Sequence, residues 1–173
     1  MRALKTSIAA LAIVFAGAFA AYPQNEKEDS KADKKAVKEA AVRKLVESKD
    51  FTFYVQSASP LRGGNVNIQY GYYDLKILPD TILSFLPYYG QAYLVPNAPR
   101  DGGIKFASTD FVYEAATRKN NYQIIIKPTD IKDVQRMILE VTPSGYATLF
   151  VNNTSRDAIS FWGYVEANKK DKK

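Results

Sequence analysis

The chain has 173 residues, 46% hydrophobic and 24% charged, enough for one domain with a real core. It contains no Cys and no His, which excludes disulfides, thiol nucleophiles, thiolate or imidazole metal sites and every triad with a His base; no metal or cofactor is expected. The net charge of +6 sits at the ends, because residues 51–168 hold ten basic and ten acidic side chains, so the clustered cationic footprint of a nucleic-acid binder is missing and no nucleic-acid partner is expected.

Residues 1–20 read as a signal peptide. Arg2 and Lys5 precede a short apolar run, and Ala18-Phe19-Ala20 offers small residues where a signal peptidase cuts, after Ala20. The run is too short to span a bilayer. With no Cys for a lipid anchor, the expected location is periplasmic or secreted, without stable membrane insertion after cleavage. Residues 21–35 are charge-dense and poor in large apolar groups, and are expected to form a disordered leader. A helix is expected over 34–48, with Val37, Ala40, Ala41, Lys44 and Leu45 on its docking face.

Strand signals then dominate. Phe51, Phe53 and Val55 alternate, and Pro60, Gly63 and Gly64 mark a turn. Residues 66–78 read as one strand, with a bulge at Gly71. Residues 82–86 hold one polar side chain, Ser84, and are expected as a strand buried outright. Pro87 must end it. Further strands are expected within 104–108, 111–117, 122–127, 136–142, 146–151 and 159–165, separated by Asn, Gly and Pro turns. The fold class is mainly β. About eight strands form an antiparallel meander that closes into a small barrel or half-barrel, or stacks as a sandwich, with one N-terminal helix. The domain spans 36–167, and 168–173 is a Lys-rich tail.

No stretch specifies a chemistry. The Gly pairs at 63–64 and 102–103 lack the Lys and following helix of a phosphate loop. Asp74, Asp80, Asp101, Asp110 and Glu114 are dispersed along the chain, and a carboxylate hydrolase, which needs two of them across one cleft, is the third reading. Tyr supplies a flat ring and a hydroxyl tip suited to recognition. Pro87 and Gly90 hold Tyr88 and Tyr89 on a turn at the sheet's rim, and Tyr93 starts the return; these three are the candidate ligand-binding residues. Gly90 is expected to supply a backbone angle that Tyr would refuse.

Five ordered blocks carry a family likeness: residues 45–53, 80–93, 101–106, 144–147 and 159–163. Over about 36–167 they resemble the domain-of-unknown-function family numbered 4251. That resemblance implies an exported protein of Bacteroidota and assigns no activity, ligand or catalytic residue. Asp80-Thr81-Ile82 is similar to the O-glycosylation acceptor of that phylum. The reading is a non-enzymatic binding module for a small apolar or amphipathic ligand, or an envelope structural or protein-interaction module without one.

Overall fold

The computed structural model describes residues 26–69, 71–90 and 102–168. Helix α1 (Glu26–Ser48) comes first. Ten strands follow: β1 (Phe51–Pro60), β2 (Val66–Asn67), β3 (Asp74–Ile77), β4 (Ile82–Leu86), β5 (Ile104–Ser108), β6 (Phe111–Arg118), β7 (Asn121–Pro128), β8 (Val134–Val141), β9 (Tyr146–Asn153) and β10 (Ile159–Ala167). All belong to one antiparallel sheet in the order β5-β4-β3-β1-β10-β9-β8-β7-β6, with β2 beside β1. The sheet curls into a nearly closed barrel, so the sandwich is not adopted. Its two end strands, β5 and β6, are joined by the Thr109-Asp110 turn but do not pair with each other.

Period-two alternation produces this curl. Phe51, Phe53 and Val55, Leu75 and Ile77, Ile124 and Ile126, Met137, Leu139 and Val141, Leu149 and Val151, and Ile159 and Phe161 all point inward and are buried. The β6–β7 hairpin turns through Lys119 and Asn120, both at positive φ, the backbone that a two-residue hairpin loop with the sheet's own twist requires. At the β1–β10 crossing the inward position is Gly163. A Cβ there would run into the Tyr54 carbonyl, and the Phe53 ring lies 3.1 Å away.

Several elements differ from the sequence reading. Helix α1 starts at Glu26, inside the expected leader, because Glu, Lys and Ala carry helix propensity without needing an apolar face. It docks through Val42, Val46 and Leu45, while Val37 is exposed. The Tyr113 hydroxyl donates to the Val46 carbonyl, which ties the end of the helix to β6. Residues 66–78 are two strands rather than one. Gly71, at φ 73°, belongs to the turn between them, and the bulge falls in β1 between Val55 and Ser57. In β4 only one face is buried. Ser84 points inward with its hydroxyl on the Ile104 carbonyl at 2.8 Å, and Leu83 and Phe85 face out. The inward set Ile82, Ser84, Leu86 follows from the pairing with β3 and β5, and the pleat then leaves Leu83 and Phe85 no other side.

Candidate functional site

Outward positions of a curled sheet are normally polar. Here they carry aromatic rings. Because Phe161, Gly163 and Val165 point inward, Trp162 and Tyr164 must point outward, and the same pleat turns out Tyr54 and Tyr146. Register then aligns them. Tyr146 lies beside Tyr164, Tyr164 beside Tyr54, Tyr54 beside Asp74, Asp74 beside Phe85, and Phe85 beside Lys105. One row therefore crosses six strands.

The rings touch along this row. Tyr54 and Tyr164 stack at 5.6 Å between centroids, and Tyr146 and Trp162 at 5.5 Å. Tyr73 stacks on Phe85 at 5.4 Å, and Tyr72 meets Tyr73 edge-on at 5.0 Å. The Lys105 ammonium lies 4.2 Å from the centre of the Phe85 ring, a favourable cation–π placement. Tyr72 is 63% exposed, Tyr146 48% and Phe85 39%. Burial among these neighbours pushes the Asp74 carboxyl above its ordinary value, and the nearby Lys76 opposes the rise.

The rim that the sequence singled out is built differently from the expectation. Tyr88 and Tyr89 diverge. Tyr88 is half-buried against the core, its hydroxyl donates to the Asp157 carbonyl at 3.2 Å, and its ring faces the Arg156 guanidinium at 5.2 Å. Tyr89 is exposed. Gly90 does not have the positive φ expected of it; a Cβ there would lie 2.8 Å from the Tyr88 hydroxyl, so it provides room for the folded-over ring. Tyr93 and Asp101 lie outside the described residues.

Arg156 holds this rim together. Its side chain is 4% exposed, donates to the Gly102 carbonyl at 2.6 Å, and pairs with Asp133 at 3.0 Å. It thereby joins the segment leading into β5 to the β7–β8 connection, while Asn153 fastens the following turn through the Asp157 carbonyl. The sequence reading placed Arg156 in an ordinary polar turn, and its partners are too distant along the chain to be read locally. The carboxylates weighed for hydrolysis fall on separate elements and turns. Asp74 lies on β3, Asp80 in the turn after it, Asp110 in the β5–β6 turn and Glu114 on the outside of β6. Thr81 precedes β4, half-exposed, with its hydroxyl on the Asp80 carboxylate.

Comparison with protein families gives a match over residues 33–165 to the model described as "Domain of unknown function (DUF4251)". The chain belongs to the DUF4251 family. Among solved structures it is similar to a DUF4251 protein from Bacteroides eggerthii, known from a crystal structure, with 14% identity and a TM-score of 0.57. The alignment covers 76% of this chain and 89% of that one, and at this identity it supports the DUF4251 fold alone. No curated protein matches this DUF4251 chain. Among the described residues no helix is long and apolar enough to cross a membrane.

Proposed function

We propose that this DUF4251 domain is an exported, non-enzymatic interaction module of the cell envelope, and that it recognises a protein partner through its outer aromatic face. The observation that carries the reading is the row from Tyr146 to Lys105, with Tyr72, Tyr73 and Trp162 beside it. Contiguous exposed aromatic surface is uncommon on a monomer, and Tyr, Trp and Phe are the residues enriched at interface centres. They supply large contact area at low conformational cost. The competing occupant, a small apolar or amphipathic ligand, needs a concave apolar pocket. The inward side chains Phe51, Phe53, Leu75, Ile82, Ile124, Met137, Leu149 and Phe161 belong to one buried core cluster. Aromatic rings spread over the outside of a sheet suit a macromolecule better than a small ligand.

Site-specific photo-crosslinking in cells that make the protein tests this. A crosslinker installed at Tyr72 should yield a discrete protein adduct that the same group at Val112, exposed on the outside of β6, does not. The adduct should disappear when Phe85 is replaced by Ser. Equal adducts from both positions, or none from either, would overturn the reading. Export is tested separately by the mature N-terminus, below.

A further inference from the structure

Beside the aromatic row, and sharing Trp162 with it, the β1 bulge opens a shallow groove of about 640 Å³. It is lined by Gln56, Ser57, Ser59, Asn65, Asn67 and Trp162. We propose that this groove is a binding site for a neutral saccharide, with Trp162 as its stacking platform.

Four observations converge. First, Trp162 is 47% exposed, and Tyr146 stacks on it at 5.5 Å with an 11° angle between the planes. Tyr146 comes from the β9 side and the groove lies on the β1 side, so the Tyr steadies the indole from one side and the groove adjoins it from the other. An indole held this way suits the apolar C–H face of a pyranose ring.

Second, the rest of the lining is three amides and two hydroxyls, and no charged residue lines it. That set matches vicinal hydroxyls, which both donate and accept. It offers nothing to a phosphate or a carboxylate, so nucleotides and acidic sugars fit poorly. Third, the Gln56 Oε1 atom is buried and accepts no hydrogen bond. A buried acceptor left unpaired is costly, and a ligand hydroxyl delivered there would remove the cost. Fourth, the groove is built from backbone irregularity. Gln56 is the extra residue of the bulge between Val55 and Ser57, and its carbonyl accepts from the Ile68 N–H at 2.9 Å. The Ser59 hydroxyl donates to Asn65 Oδ1 at 2.8 Å, which fixes the direction of that amide. Bulges re-aim side chains in this manner beside functional sites.

A proline-rich peptide would also stack on an indole, but it prefers a series of aromatic ridges. This groove is lined by a single aromatic residue.

The chain's single Trp makes the test direct. The purified mature chain is titrated with cellotetraose, chitotetraose, maltotetraose and mannotetraose while indole emission is followed. At least one should shift or quench the emission saturably in the micromolar to millimolar range, whereas tetragalacturonate and deca-proline should not. By calorimetry with the same oligosaccharide, Trp162→Ala and Gln56→Leu should each weaken binding by about tenfold or more, and Trp162→Phe should retain part of it. Circular dichroism of each variant checks that the sheet is intact. No response to any of the four sugars up to about 10 mM overturns the proposal. So does binding of deca-proline alone, or sugar binding that a folded Trp162→Ala variant leaves unchanged. The crosslinking outcome at Tyr72 bears on none of these results.

Discussion

Replacing Arg156 by Met should loosen the rim opposite the helix and destabilise the whole domain. The guanidinium is 4% exposed in its side chain and has given up its water for Asp133 at 3.0 Å and the Gly102 carbonyl at 2.6 Å. Met fills much of the same space but satisfies neither acceptor. Breaking a buried ion pair by removing one partner costs about 3–5 kcal/mol. Asp133 keeps 32% of its side chain in solvent and can partly rehydrate, which places the expected loss at the lower end, about 3 kcal/mol. With an m-value of about 2 kcal/mol/M, the urea midpoint should fall by about 1.5 M, and the melting temperature by roughly 10 °C. Urea unfolding followed by far-UV circular dichroism reads this directly. Removing both charges, in Arg156→Met with Asp133→Asn, should recover part of the loss, because the second change removes the stranded carboxylate. A loss below about 1 kcal/mol in the single variant, within the range of an exposed pair, would refute the view that Arg156 clasps the rim.

Gly163→Ala should cost more than about 3 kcal/mol or prevent folding, because its Cβ would meet the Tyr54 backbone carbonyl rather than a movable side chain; expression and thermal melting decide it. Tyr88→Ala should lose about 3 kcal/mol as a half-buried aromatic, while exposed Tyr89→Ala stays within about 0.5 kcal/mol, and similar losses from both in chemical unfolding would contradict the opposite placements of the two rings. Asp74→Asn should be more stable than the wild type at pH 7. Burial raises the Asp74 carboxyl above 3.8 in the folded state, so ionisation penalises folding above the raised value and the penalty vanishes as pH falls below 3.8; an advantage that grows toward acid would show the sign to be wrong. Intact mass of the exported protein should correspond to a chain starting at Ala21 with no lipid, and retention of residues 1–20 would disprove the cleavage site.

The strands were legible because burial imposes a period of two on them. Phe51, Phe53 and Val55, and Ile159, Phe161, Gly163 and Val165, announce both their strand and its inward face. That information also implied the outer face, since Trp162 and Tyr164 had to occupy the opposite side. What could not be read was which outward residues become neighbours. The row from Tyr146 to Lys105 draws one residue from each of six strands, and register between distant strands is set by bulges and turns. For the same reason the sequence pointed to Tyr88 and Tyr89, which share a local motif, and passed over Arg156, whose partners Asp133 and Gly102 come from other loops. The β4 strand shows the limit of composition. Leu83 and Phe85 are apolar and still face outward, because pairing on both sides fixes Ser84 inward.

The pairing of β1 with β10 has a consequence for how the chain reaches its native state. Phe51 lies opposite Ala167, so the first long strand finds its partner at the far end of the sequence. The segments on either side are local meanders, β3-β4-β5 and β6-β7-β8-β9, which can form by successive hairpins. Their suture cannot. Until β10 is available, β1 has a bare edge and Phe51, Phe53 and Val55 lack the wall supplied by Phe161 and Val165. Contacts of such sequence separation slow folding, because loop closure must precede the burial that rewards it. A polypeptide of this topology therefore stays uncommitted while it emerges and locks only when its last strand arrives. That suits a chain that, under the proposed export, has to be threaded through a membrane before it folds.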